Sequence, residues 1–254
     1  MRRIRLKLQY DGSAYNGWQV QPLGTTIQGM LQHYLHKLTG EKSAVIGAGR
    51  TDAGVHAVEQ IAAFESHSKL HTDVIKRALN AMLPPDIRIT DADEVDENFH
   101  PRYSARRKRY FYMIANMTEV PVFLHKWVWH VTADIDVEAM RTGSAYLPGN
   151  HDFSSFRGSG CGARNPMRTV YRIEIEKPGE VALFTRFHGN FIKITAEADG
   201  FLRHMVRNIV GTLVEVGRGK ISPQKVSDIL KAKDRRLAGP TAPPQGLFLE
   251  KVIY

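Results

Sequence analysis

The chain has 254 residues, 43% hydrophobic and 24% charged, the balance of a folded globular protein with enough apolar side chains to fill a core. No run approaches the roughly 18 to 20 unbroken apolar residues a membrane span needs. The start, Met1-Arg2-Arg3-Ile4-Arg5-Leu6-Lys7, lacks the apolar run and cleavage site of a signal peptide. A single cysteine, Cys161, excludes an intrachain disulfide and suits a reducing cytoplasm.

Charge says more. Lys and Arg number 35 against 26 acids, a net +9. Such an excess fits an anionic partner, commonly nucleic acid, although a merely basic protein fits it equally well.

In chain order, Ile4, Leu6, Leu8 and Tyr10 alternate with Arg5, Lys7 and Gln9, the pattern of a half-buried strand. Asp11-Gly12-Ser13 ends it as a turn. Ile27, Met30, Leu31, Tyr34, Leu35 and Leu38 predict a helix over 26–39, opened by Thr25 or Thr26 and closed by Gly40. A strand over 60–65, a helix over 73–82 stopped by Pro84-Pro85 and a short strand over 87–89 follow. The second half gives strands over 109–115 and 128–131 and a helix over 137–146. Segments 171–176, 181–187 and 191–198 read as consecutive antiparallel strands joined by Gly-containing turns. A long apolar helix over 201–216 comes next, then a helix starting at Ser222-Pro223. The segment 240–246, rich in proline, reads as a constrained loop, and 247–253 as a closing strand. Strands and helices mix without a regular βαβ rhythm, so the expected class is α+β with mainly antiparallel sheet. The basic stretch near Arg106 marks the expected boundary between halves 1–105 and 106–254.

The segment Gly47-Ala48-Gly49-Arg50-Thr51-Asp52-Ala53-Gly54-Val55-His56 crowds glycines around one acid. Its glycine spacing is not that of a dinucleotide fingerprint, and it lacks the Gly-Lys-Ser/Thr ending of a P-loop. Read alone, Asp52 is either an acid brought close to a ligand by pliant backbone or a loop Asp bonding its own turn. His33 and His36 lie three apart on a helix, but no further ligands at metal-binding spacing accompany them. No Gly-x-Ser-x-Gly elbow supports a hydrolase triad around His56, and Cys161 has no evident base. His204 is open to either a structural or an RNA-facing reading.

The run Gly-Arg-Thr-Asp-Ala-Gly-Val-His resembles the signature of the TruA family of tRNA pseudouridine synthases. Further segments match in the same order: Tyr10-Asp11-Gly12-Ser13 with Gly17-Trp18-Gln19; Phe99 to Ala105; Phe201 to Gly211; and Gly246-Leu247-Phe248-Leu249. Together they span nearly the whole chain. The resemblance implies a pseudouridine synthase fold, two α+β halves with helices packed on the sheet and an active-site cleft between them. It implies that uridine is isomerised at positions 38 to 40 of the tRNA anticodon stem-loop, by a cytoplasmic homodimer, with no metal and no cofactor.

It also assigns roles. Asp52 is implied as the catalytic carboxylate, Arg207 as its cationic partner and Tyr110 as the residue that stacks on the base, with Leu247 among the substrate contacts. The chemistry suits them. The N1–C1′ bond breaks, the base turns and C5 rejoins C1′, so nothing is oxidised or added. A carboxylate is needed, whether it attacks C1′, attacks C6 or assists formation of a glycal. An acid that must stay charged in a closed cleft needs a cation nearby, because burial favours its neutral form. Arg203, Arg207 and Gly211, four apart, share one face of the expected helix, and Met205, Ile209 and Leu213 form an apolar stripe elsewhere. The run Arg106 to Tyr112 interleaves charge with rings, as phosphate binding and base stacking require. There Phe111 is the ring expected in the core, and Tyr112 has no assigned place. Arg50, Arg102, Arg106, Arg107 and Lys108 are candidate phosphate contacts. Composition alone also permits a non-catalytic RNA-binding protein or RNA chaperone.

Overall fold

Alternation decides the first strand. In the computed structural model, which describes Met1–Tyr254, the strand Arg2–Tyr10 (β1) buries Ile4, Leu6, Leu8 and Tyr10 and leaves Arg3, Arg5 and Lys7 at the surface. The chain divides into two units, Met1–Arg106 with Phe248–Tyr254, and Arg107–Leu247. The first boundary thus falls within the basic stretch, and the closing segment belongs with the first unit.

In the first unit, Thr26 opens a helix over Ile27–Thr39 (α1): its hydroxyl accepts the Gly29 N–H at 3.2 Å. Gly40, at φ 75°, ends it in the left-handed conformation that a side chain disfavours. After the short Ile46–Gly47 (β2) comes His56–Ser66 (β3), then the helix Thr72–Met82 (α2) and the strand Ile87–Val95 (β4). β1 lies between β3 and β4, antiparallel to both. The C-terminal strand, Leu247–Ile253, joins β3 in parallel, with Phe248 opposite His56. β4 runs well past the expected 87–89. Its outer part carries Asp91, Asp93 and Glu94, and cross-strand pairing replaces apolar alternation: Arg5 donates twice to Asp93, at 2.9 and 2.7 Å.

The second unit begins with Arg107–Asn116 (β5) and Trp129–Val131 (β6), which pair in parallel. Val137–Ser144 (α3) starts at Asp136, whose carboxylate accepts the N–H groups of Glu138 and Ala139. Gly149–Asp152 (β7), Met167–Glu176 (β8), Glu180–Ala182 (β9), Arg186–His188 (β10) and Phe191–Ala198 (β11) follow. Along β5-β11-β8-β7 every pairing is antiparallel. The expected strand over 181–187 is therefore corrected: it breaks at residues 183–185 into β9 and β10, which form a separate hairpin, and β8 pairs directly with β11.

Two helices complete the unit, Met205–Gly217 (α4) and Lys225–Ala232 (α5). α4 starts four residues later than the apolar pattern suggests. His204 takes φ 60°, and the segment ahead of it is a turn, with the Met205 N–H bonded to Leu202 O at 3.0 Å. Arg203 therefore lies outside the helix, and of the expected basic face only Arg207 and Gly211 remain on it. Met205, Ile209 and Leu213 are buried as the stripe predicted, but so are Val206, Val210 and Val214. A helix apolar on nearly every side is a core helix. None of the helices is long and apolar enough to cross a membrane. Mainly antiparallel strands with helices packed on them make this the α+β class that the sequence implied.

Candidate active site

The acid-bearing loop of the first unit is held from two directions. Residues 12–18 clasp it on one side. The Trp18 N–H donates to Thr51 O at 3.0 Å, and the Gly54 N–H to Tyr15 O at 3.3 Å. The approach is so close that a Cβ on Gly17 would lie 2.5 Å from Thr51 O, and one on Gly12 would lie 2.0 Å from Val55 O. Only glycine fits at either place, and Gly17 also sits at φ 84°.

From beneath, buried polar groups reach up from the sheet. Tyr10 Oη and Thr51 Oγ1 share a hydrogen bond of 2.8 Å, and Gln60 Nε2 donates to Gly49 O at 2.8 Å. Burial pushes the Tyr10 phenol up to about 12, so it stays neutral and able to donate. His56, also buried, accepts the Gly12 N–H on Nδ1 at 3.0 Å and stacks on Phe248 with ring centres 4.6 Å apart. Within the loop, the Val55 N–H bonds Asp52 O at 3.1 Å. Thr51 is buried, Asp52 half-buried, and Arg50 and Ala53 exposed. The arrangement fixes the backbone on both sides of Asp52, which is itself half-buried.

The implied partners lie in the second unit. Tyr110 sits on β5 opposite Ala196 of β11, 7% exposed, with its ring perpendicular to Phe201 at 5.2 Å. Arg207 occupies the first turn of α4. Its Nε donates to Ala242 O at 2.7 Å, and the Ala242 N–H returns a bond to Arg207 O at 3.1 Å. Here the proline-rich loop finds its purpose, because it docks on the helix face marked by Gly211, where a Cβ would stand 1.8 Å from Pro240 O. The loop's far end is fixed by Tyr112, whose phenol donates to Pro243 O at 2.7 Å. Burial pushes that phenol above its usual range, with the Arg207 charge opposing it weakly.

Strand alternation sorts the basic cluster. Lys108, Tyr110 and Tyr112 share one face of β5, and Arg107, Arg109 and Phe111 share the other. On that second face Glu197, 4% exposed, receives Arg107 at 3.2 Å and Arg109 at 2.9 Å, with Arg172 Nη2 3.7 Å away. Burial pushes the Glu197 carboxyl up, but the hydrogen bonds and charges of these arginines outweigh it and hold the group below its usual value. The expectation for Phe111 is corrected as well: it is half-buried against Lys193, and the ring that fills the core is Tyr112. Arg102 and Arg106 are exposed in the first unit, Arg102 lying 5.5 Å from the ring of the exposed Tyr103. Leu247 is buried at the start of the last strand. Asp52, Arg50, Arg102 and Arg106 thus belong to the first unit, and Tyr110, Arg207, Arg107, Lys108 and Leu247 to the second. Sequence reasoning placed Tyr10 on the first strand and Gly17 in a matching segment without giving either a supporting role, and it missed that of Gln60.

Known proteins match this chain from end to end. The family described as tRNA pseudouridine synthase matches residues 8–104 and 144–254. A tRNA pseudouridine synthase A of Thermoanaerobacter sp. is 46% identical over 254 residues, 100% of both chains. Its counterpart in Myxococcus xanthus is 44% identical, covering 100% of this chain and 92% of its own. That of Thermodesulfovibrio yellowstonii is 40% identical over 100% of both. Among solved structures, a chain described as "Structure of H/ACA RNP bound to a substrate RNA containing 2'-deoxyuridine" is 13% identical, with a TM-score of 0.37 over 84% of this chain and 44% of that one. The class is therefore an RNA-modifying isomerase. The chain belongs to the tRNA pseudouridine synthase family.

Proposed function

We propose that this protein isomerises uridine to pseudouridine at positions 38 to 40 of the tRNA anticodon stem-loop, with Asp52 as the catalytic carboxylate. Family membership supports the reaction and the substrate class. The observation that carries the residue assignment is the Asp52 loop itself: a half-buried acid on a glycine-bracketed segment, its backbone clamped by Trp18 and supported by Tyr10 and Gln60. Such fixed backbone places a reacting group at low entropic cost.

The reaction breaks N1–C1′ and forms C5–C1′; the C5 proton is lost and N1 gains one, so the change is an internal rearrangement. It draws on no oxidant, metal or nucleotide. Asp52 supplies the carboxylate. Arg207 is proposed as the cationic residue of the site. Tyr110 stacks on the displaced base, worth about 1 to 3 kcal/mol against the few kcal/mol spent on unstacking it. Arg50, Arg102, Arg106, Arg107 and Lys108 attract the phosphates, and Leu247 contacts the nucleoside. The enzyme works in the cytoplasm as a homodimer.

The test needs no added cofactor. Unmodified tRNA transcript is incubated with the protein, and pseudouridine is mapped by carbodiimide primer extension. Product in the anticodon stem-loop is expected from the wild type; Asp52→Asn should bind the same tRNA and form none. A wild type that binds tRNA without product is an RNA chaperone, and turnover by Asp52→Asn removes the acid from the chemistry. Sedimentation of the pure protein at micromolar concentration reads the dimer; a monomer there refutes that part alone.

A further inference from the structure

The loop after β7 brings guanidinium groups together at a place the proposed chemistry does not use. Ser154, the segment Arg157–Cys161 and Arg235 line an open cavity of about 450 Å³ in the second unit. Arg157 Nη2 donates to Cys161 O at 2.5 Å. Arg235 donates to Ala238 O at 3.2 Å and Gly239 O at 2.9 Å, and to Asn208 Oδ1 and Thr241 Oγ1, each at 3.1 Å. Every one of these acceptors is uncharged. Arg203 adds a third guanidinium, donating to Ser159 O at 3.2 Å.

The neighbouring acids are occupied elsewhere. Asp152 accepts the Ser154 N–H at 2.9 Å and faces Lys233 at 3.5 Å, and Asp234 takes Arg236 through both oxygens. Arg235 is half-buried, and burial alone shifts it, downward, with no carboxylate to offset the cost. Positive charge is thus gathered at a concave place and neutralised by nothing in the chain. That costs free energy unless an anion completes it.

The surroundings suit an anion with several oxygens. Guanidinium forks match phosphate geometry. The backbone is held open by glycines: a Cβ on Gly158 would meet the His204 ring at 2.7 Å, and Gly160 sits at φ 67°. Ser154 and Ser159 add neutral donors at the rim. Cys161 reports on the same field. Burial pushes its thiol up, but the N–H groups of Ala163 and Arg203 and the charge of Arg157 outweigh that and hold it below its ordinary value. Whatever favours a thiolate there favours a phosphate oxygen as well.

We propose that this cavity is a phosphate subsite, which takes one backbone phosphodiester of the RNA substrate away from the reacting uridine. The proposal rests on the reading of RNA as substrate. It casts Arg157 and Arg235 as anchors for the nucleic-acid backbone and leaves the isomerisation itself untouched.

The test uses the full chain and two readouts. Labelled tRNA transcript is titrated by fluorescence anisotropy over a range of salt, with wild type, Arg157→Gln, Arg157→Lys and Ser159→Glu. In parallel, alkylation of Cys161, the only cysteine, by iodoacetamide is timed with and without tRNA or inorganic phosphate. Arg157→Gln and Ser159→Glu should weaken binding roughly five- to tenfold, and Arg157→Gln should flatten the slope of log affinity against log salt by about 0.9. Arg157→Lys should restore that slope. Bound tRNA should slow alkylation at concentrations where inorganic phosphate does not. If Arg157→Gln does not fold, exposed Ser159→Glu carries the binding test. Unchanged affinity and slope overturn the proposal, as does alkylation indifferent to tRNA or slowed by phosphate alone. A wild type that forms no pseudouridine, yet whose Cys161 tRNA protects, sinks the enzymatic reading and leaves the subsite standing; normal turnover without protection does the reverse.

Discussion

Replacing Gly17 by alanine should damage the Asp52 loop directly. Two costs add. Gly17 sits at φ 84°, and a side chain in left-handed backbone costs about 1 to 2 kcal/mol. Its Cβ would also lie 2.5 Å from Thr51 O and 3.0 Å from Asp52 C, a backbone clash that no rotamer relieves, and overpacking of this kind costs about 1 to 3 kcal/mol. Together they predict a loss of roughly 2 to 5 kcal/mol. At about 2 to 4 °C per kcal/mol for a chain this long, that is a fall in Tm on the order of 4 to 20 °C. Relief of the clash must push the Thr51–Asp52 peptide away from residue 17, so the acid moves too. A misplacement of about 1 Å costs up to ~100-fold in rate. Single-turnover conversion of saturating tRNA by Gly17→Ala should therefore slow by one to two powers of ten, on the order set by such a shift. Gly40→Ala is the control. That glycine has φ 75° but nothing within 4 Å of the added Cβ, so it should lose only the backbone term and keep its rate. A Gly17→Ala protein with lowered Tm and an undiminished rate would refute the claim that this clasp positions Asp52.

Tyr10→Phe removes the buried bond to Thr51 and should lower stability by about 1 kcal/mol in urea titration, with a modest loss of turnover. A neutral result in both would show that Thr51 finds another partner. Glu197→Gln strips the counter-charge from Arg107, Arg109 and Arg172, which are partly exposed, and should cost about 1 to 2 kcal/mol, read as a shift in the denaturation midpoint. The same carboxylate predicts acid sensitivity. Its folded-state pKa is depressed, so its stabilisation is full above the ordinary value of 4.5 and is lost as pH falls through the lower folded one. Glu197→Gln should abolish that part of the pH dependence, and a parallel pH curve would sink the reasoning. Gly211→Ala drives a methyl to 1.8 Å from Pro240 O and should displace the loop that bonds Arg207. We expect a loss of about 1 to 3 kcal/mol together with slower turnover; lowered stability at full rate would separate the loop from the chemistry.

Elements held by side-chain periodicity could be read from the sequence. β1 alternates, and α1 carries a threonine at its start and a glycine at its end, so both were found with nearly correct limits. Elements held by other forces were not. The outer half of β4 has almost no apolar face, because ion pairs such as Arg5 with Asp93 replace it. Residues 181–187 have strand-like composition, yet composition cannot tell pairing with a sheet from folding back into a hairpin, since pairing depends on the partner. α4 lost its first turn to the positive φ at His204, a conformation uncommon enough for any residue but glycine that the sequence does not announce it.

The site divides along the same line. Asp52 drew notice because acids among glycines are rare, and rarity is visible in one dimension. What holds Asp52 in place is not. Tyr10 reads as the last inward residue of an amphipathic strand, Gln60 as the first residue of another strand, and Gly17 as one glycine of a matching segment. Each becomes part of the site only when the fold brings it under or against residues 49–52, some 11 to 41 positions away along the chain. Arg157 and Arg235 make the same point at longer range. Each alone looks like a solvated surface cation; what singles them out is that they line one cavity and that the acceptors they bond are all neutral. A motif can therefore draw attention to one acid, whereas the residues that hold its loop, or that gather charge at a cavity, become recognisable only through the charge and space they share with their neighbours.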